Sequence, residues 1–213
     1  MNSREMILEK LHNAVAPDQI NKNIITISEP RHGYGEVFMA KATAAGAQVV
    51  RTNLHEATGA IKSILQEIGC KSIILSDEKI IKELGVQTIA GDLGMDCRYA
   101  DDFPGEAYRR NVLQTEIGIS GCDYALADSG SLVIMHNSDN QRLISLAPDY
   151  YIGIVKTSQM LKDRFDLASI MEKEEKSEAV SIITGVSRTA DVALQVVLGM
   201  HGPRKVNIIL IED

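Results

Sequence analysis

The chain of 213 residues has no tryptophan, three phenylalanines and six tyrosines. With so few aromatics, its core has to be assembled from Ile, Leu, Val, Ala and Met. Positive charge is also short: 22 Lys and Arg stand against 29 Asp and Glu, a formal net charge of −7. No Lys/Arg stripe with interleaved aromatics offsets this locally, which argues against nucleic acid as a partner. A small anionic ligand stays open, because a few local cations or a helix N-terminus are enough to hold one. No apolar run reaches the roughly 18 residues that a membrane span needs. Residues Met1 to Val15 mix Glu5, Glu9 and Lys10 with apolar positions; that pattern is an amphipathic helix, not a secretory signal. These features give the expectation of a cytoplasmic protein without a membrane span.

Cysteine is scarce and scattered. Cys70, Cys97 and Cys122 form no C-x-x-C, so iron–sulfur and zinc-ribbon ligation by this chain are not expected, and the thiols read as reduced and buried. Five histidines show no metal-ligand spacing. The segment H-G-Y-G-E-V at 32–37 has Phe38 where a dinucleotide fingerprint needs its third glycine. There is no Walker loop, no G-x-S-x-G elbow and no H-E-x-x-H. No cofactor or metal is expected in this chain.

What remains is a rhythm of short apolar strands and helices. Strands are expected at 23–28, 47–52, 71–76, 123–127, 131–136, 151–156, 180–184 and 206–211, with an edge strand near 97–99. Helices are expected at 1–15, 35–45, 55–68, 77–84, 107–116, 158–174 (capped by Ser158) and 187–198 (capped by Ser187). Continuous apolar centres such as K-S-I-I-L-S at 71–76 fit strands covered on both faces. The pattern defines an α/β fold of three layers around a mostly parallel sheet. It is read as one domain, with a helical arm at 1–30 and a core at 40–212. The charge run E-K-E-E-K-S-E at 172–178 reads as a solvated helix end.

Three segments carry polar residues where such folds place ligands. A-D-S-G-S-L at 127–132 offers Asp128 as acid, base or anchor, and the Ser129, Gly130 and Ser131 backbone as an anion cradle; a plain β-turn uses the same residues. G-V-S-R-T-A-D at 185–191 offers Gly185, Ser187, Arg188 and Thr189 at a strand-to-helix junction, where a helix cap is the other reading. G-M-H-G-P-R at 199–204 contributes His201, and Arg142 brings a further cation. If strands 123–127 and 180–184 run parallel, Asp128 and Gly185 share the strand ends where α/β folds bind ligands. Asp128, Ser129, Ser131, Ser187, Arg188 and Thr189 are then expected to line one pocket.

Taken together, G-I-S-G-C-D-Y-A-L-A-D-S-G-S-L-V (118–133), R-L-I-S-L-A-P (142–148), I-T-G-V-S-R-T-A-D-V (183–192) and V-L-G-M-H-G-P-R (197–204) resemble the LUD-domain family of lactate-utilization proteins. The resemblance implies a fold similar to the ribose-phosphate isomerase, glucosamine-phosphate deaminase and CoA-transferase group. It also implies a part in oxidising L-lactate to pyruvate beside partner proteins that carry iron–sulfur clusters, and it brings no settled catalytic residue. Where relatives have Gly/Arg-rich residues before the R-L-x-S-L motif, this chain has His136-Asn137-Ser138-Asp139-Asn140. Two alternatives of other classes stand beside this: a free-standing enzyme on a small acyl-CoA or sugar-phosphate substrate, and a purely structural binding module. Homo-oligomerisation is compatible with each.

Overall fold

A computed structural model describes residues 33–172, 177, 179–190 and 196–213. The expected helix at 1–15, the strand at 23–28 and most of the charge run at 172–178 lie outside the described residues. The architecture is α/β, as expected, and is organised around a parallel sheet of six strands. These are β1 (Gln48–Asn53), β2 (Ser72–Leu75), β3 (Asp96–Tyr99), β4 (Ile117–Gly121), β7 (Tyr150–Lys156) and β12 (Lys205–Glu212), in the spatial order β1-β12-β7-β4-β2-β3. A second sheet of four strands joins β5 (Tyr124–Leu126), β6 (Ser131–His136), β8 (Met160–Leu161) and β9 (Ala179–Ile183) in the order β8-β5-β6-β9.

Each layer follows from where the apolar residues fall. On one face of the large sheet lie α2 (Leu54–Ile68), α3 (Lys79–Glu83) and α4 (Val86–Asp92). Helix α2 starts where the Asn53 side chain accepts the Glu56 N–H at 3.0 Å and stops at Gly69, whose φ of 68° suits a residue without Cβ. Its buried residues Ala57, Ile61, Ile64 and Leu65 recur at helical spacing and pack on Ile73, Leu75, Ile117, Ile119 and Ile209. The opposite face is covered by α1 (Tyr34–Ala44), by the small sheet and by α5 (Glu106–Val112). Phe38 and Ala42 of α1 and Leu132 and Ile134 of β6 join Tyr151, Val155, Ile208 and Leu210 in a second core cluster.

The structure departs from the sequence reading in four places. The expected helix at 158–174 is a 3-10 turn at Thr157–Gln159, the short strand β8, and then helix α6 (Arg164–Met171). Its cap is Asp163, whose side chain accepts the N–H groups of Phe165 and Asp166. Ser158 instead donates its hydroxyl and backbone N–H to Asp213, and Met160 and Leu161 pair with Ala125 and Leu126. The expected helix at 187–198 is an antiparallel pair, β10 (Arg188–Ala190) with β11 (Val196–Leu198). The Ser187 N–H goes to the Pro203 carbonyl, so Ser187 caps no helix; β-branched Val186, Thr189, Val196 and Val197 favour extended chain. Past the expected helix at 77–84 the chain forms a further helix, α4, and neither it nor β4 is anticipated from the sequence.

Strand β4 is hidden in the sequence because it contains glycines that contacts demand. A Cβ on Gly118 would lie 1.9 Å from the Ile144 carbonyl oxygen, which crosses over the strand there. The I-G-I-S-G run thus lacks the apolar continuity by which the other central strands announce themselves.

Candidate functional site

The strand order locates a site before any side chain is considered. From β2 the chain moves outward to β3; from β4, the neighbour of β2, it moves the other way, to β7 and then β12. Right-handed crossovers place these two connections on opposite faces of the sheet. Open α/β sheets bind ligands beyond the carboxyl ends of strands at such a reversal. A cleft of about 440 Å³ opens at that place, lined among others by Glu78, Gly121, Cys122, Asp123, Lys156 and Asp213.

Glu78 follows β2 and Gly121 ends β4. One carboxylate oxygen of Glu78, Oε2, accepts the Ser76 hydroxyl at 2.7 Å and the Gly121 N–H at 2.7 Å. The close approach needs glycine: a Cβ on Gly121 would stand 2.8 Å from that oxygen and 3.0 Å from the carboxyl carbon. Burial pushes the Glu78 carboxyl above its ordinary value; the bonds from Ser76, Gly121 and Asn140 oppose the shift, and the nearby Asp123 charge adds to it. Asn140 is buried, donates its amide to the Gly121 carbonyl at 3.1 Å, and leaves its own Oδ1 without a hydrogen-bond partner.

The remaining polar groups divide into fixed and presented ones. Asp123 accepts the Met135 N–H at 2.6 Å. Desolvation pushes the Asp213 carboxyl up, but the bonds it accepts from the Ser158 hydroxyl and N–H and the Thr157 hydroxyl, with the Lys156 charge, together outweigh this and hold it below the usual range. Lys79 pairs with Glu83 one turn along α3. Beneath the cleft, the Tyr151 hydroxyl meets Ser120 at 2.8 Å and Cys122 at 3.6 Å. Burial pushes both the Cys122 thiol and the Tyr151 hydroxyl well up, so both stay neutral. No group of three or more His, Cys, Asp or Glu suited to a metal occurs among the described residues. Among those residues, too, no helix is long and apolar enough to cross a membrane.

The residues singled out from the sequence lie elsewhere. Strands β5 and β9 both run antiparallel to β6, so Asp128 and Gly185 follow parallel strands, as anticipated, but in the small sheet. The Ser131 hydroxyl bridges Ser129 at 2.9 Å and Thr184 at 2.7 Å. Gly130 and Gly185 lie against the α1 backbone at Ala42 and Ala45, and Arg188 donates to the Ala45 carbonyl at 3.1 Å. This group therefore gathers at the end of α1, beside the amino ends of β1 and β12. Asp128 is exposed. Thr189 belongs to β10, and exposed His201 precedes Gly202, which packs against Ser187. Arg142 opens a 3-10 turn packed on β4 and β7.

Sequence reasoning missed Glu78, Gly121, Asp123, Asn140, Lys156 and Asp213. The S-D-E tripeptide after an apolar strand was a usable signal. Its meaning depends on which strand lies next to β2, and that is a property of the folded sheet.

Fold and cleft together define an open α/β protein with a polar site at the reversal of its strand order. The LUD domain model matches residues 35–211, and the chain belongs to the LUD-domain family. It is 26% identical over 182 residues to lactate utilization protein C of Halalkalibacterium halodurans, covering 83% of this chain and 78% of that protein. Over 169 residues it is 30% identical to the uncharacterized protein YkgG of Escherichia coli, covering 76% and 73%. A crystal structure of a DUF162 family protein from Deinococcus radiodurans superposes with a TM-score of 0.59 at 20% identity, over 86% of this chain and 99% of that one. That last likeness concerns the fold.

Proposed function

We propose that this protein acts in L-lactate utilization, and that its switch-point cleft takes a small 2-hydroxy or 2-oxo acid. The observation that carries the reading is the family match over residues 35–211, with relatives named lactate utilization protein C across most of the chain. The electron-transfer part of lactate oxidation is assigned to iron–sulfur partner proteins in the cytoplasm, with this chain as the subunit that holds no cluster. In support, its three cysteines are spread over Cys70, Cys97 and Cys122 and none is paired. The cleft supports a small polar ligand by its place in the sheet and by Lys156 and Lys79 on its walls.

Deletion of the gene in a host without a paralogue tests the reading. Growth on L-lactate should be lost while growth on glucose is kept, and the wild-type gene should restore it. Normal growth of the deletion strain on lactate would sink the proposal. Co-purification of the tagged chain from lactate-grown cells, read by the visible absorption of bound clusters, tests the partnership.

The alternative of an independent enzyme on an acyl-CoA or sugar phosphate draws on the cleft alone. Thermal-shift measurements against those ligands separate the two. A ligand bound to the native state at a hundred times its Kd stabilises by about 2.7 kcal/mol.

A further inference from the structure

The held carboxyl in the cleft has a chemistry of its own. Glu78 stands at the reversal between β2 and β4, and its Oε2 is occupied by the Ser76 hydroxyl and the Gly121 N–H. Those two bonds hold the group by Oε2 at the wall of the cleft. The positioning is built in at two further points. Gly121 admits the carboxyl where any Cβ would press on it. Asn140, 1% exposed, bonds the Gly121 carbonyl with its amide and keeps a buried Oδ1 with no partner. Asn140 also bonds the Glu78 carboxyl itself, which opposes the upward shift that burial causes and fixes the group against the end of β4.

We propose, on the reading that the cleft takes a small 2-hydroxy or 2-oxo acid, that Glu78 is its acid–base residue, meeting the substrate oxygen through its carboxyl, with Gly121 and Asn140 as positioning residues. The proton passes between the substrate hydroxyl and the Glu78 carboxyl: one O–H bond breaks as the other forms, and no electron changes hands in the step. The charged groups around Glu78 agree with this role. Asp123 raises its proton affinity, Lys79 is paired with Glu83, Asp213 is bound to Thr157 and Ser158, and Asp139 lies on the loop bonded to Asp77 through its carbonyl. Lys156, at the end of β7 on the cleft wall, is placed to receive the substrate carboxylate. Cys122 and Tyr151 stay neutral below and compete for no proton. An anionic ligand entering beside Glu78 adds a like charge and draws a proton onto it.

The experiment is a carboxyl-carbon NMR titration of the full chain labelled at the glutamate side-chain carboxyl, with sodium pyruvate and sodium L-lactate as probes and sodium chloride as the ionic-strength control. One glutamate should titrate above the rest, move higher on adding pyruvate or lactate but not chloride, and be missing from E78Q. In G121A the displaced carboxyl should fall back towards its ordinary value. Because pyruvate draws a proton onto Glu78, wild-type affinity for pyruvate should rise as pH falls through the Glu78 titration, and E78Q should lose that pH dependence. A glutamate that titrates normally, or one that neither acid moves, overturns the proposal; so does an E78Q variant whose pyruvate affinity depends on pH as the wild type's does. Should E78Q fail to fold, the wild-type titration and its response to pyruvate decide alone. A response to pyruvate in a protein whose deletion strain grows normally on lactate would keep the site and sink the physiological reading.

Discussion

The two ends of the large sheet are built on opposite plans. At the carboxyl end, β2 and β4 part company and leave a cleft, and the glycine there, Gly121, makes room for a charged side chain. At the amino end, Gly130 and Gly185 make room for backbone. Both have positive φ, 67° and 64°, and a Cβ on either would stand 2.1 Å from α1, at the Ala42 nitrogen or the Ala45 oxygen. Polar residues crowd both ends, yet at one the hydrogen bonds hold a carboxyl at the wall of a cleft, and at the other the hydroxyls of Ser129, Ser131 and Thr184 bond one another. A Gly/Ser-rich motif therefore identifies a close approach, and what approaches decides its meaning.

The contrast can be broken by mutation. G185A or G130A carries the largest effect, because each combines a left-handed backbone with a clash against helix backbone that cannot swing aside. Either should destabilise by about 3 kcal/mol or more in denaturant unfolding. A loss under about 1 kcal/mol would show that α1 can move off the small sheet.

Next in size is S181A, which removes the hydroxyl held 2.7 Å from Nε2 of buried His136, whose Nδ1 lies 3.1 Å from the Asn140 carbonyl oxygen. Orphaning that ring nitrogen should lower stability by about 1–2 kcal/mol.

The pH dependences of the two ends of β6 and β2 should oppose each other. Burial lowers the His136 value, with the Asn140 carbonyl working against it. The unfolded chain then binds the proton more readily, so His136's contribution is present above its ordinary value of 6.5 and is lost as pH falls below it. Glu78 has the reverse sign: its folded-state value is raised, so the native state holds the proton more tightly and gains stability as pH falls from neutral through that value. H136Q should flatten the acid side of the stability profile, and E78Q should be at least as stable as wild type at neutral pH. A destabilised E78Q would mean that the carboxylate is a structural cap. Denaturant midpoints across pH 5–8 read both.

R188A closes the series. An exposed arginine with one bond to a helix-end carbonyl should cost under about 0.5 kcal/mol. Loss of lactate-dependent growth in that variant, with its fold intact, would give the 185–189 segment the anion-binding role that its sequence suggests.

How much of this was readable beforehand depended on where the information resides. Strands at 71–76, 151–156 and 206–211 declare themselves because helices and the small sheet cover both their faces, leaving runs such as K-S-I-I-L-S. Helix α2 declares itself by its spacing and its two caps. Segments 158–174 and 187–198 carry apolar residues at intervals that suit a helix, but tertiary pairing prevails: Met160 and Leu161 extend the small sheet, and Arg188–Ala190 folds back on Val196–Leu198. The cleft stays hidden because Glu78 and Gly121 are 43 residues apart. Their meeting rests on β4 lying beside β2, and no local pattern states that.

Strand β12 lies between β1 and β7, in register from Gln48 opposite Asn207 to Asn53 opposite Glu212. On a ribosome this makes β1 a strand in waiting. Val49 and Val50 are synthesised early, but the neighbour that receives them emerges only with Lys205–Glu212, after every other strand of both sheets. Until then the nascent chain carries an unpaired edge on β1 and another on β7, the configuration most open to mispairing with other chains. Insertion of β12 as a wedge closes both edges in a single late event, and so the rate of that event governs how long the newborn protein needs protection.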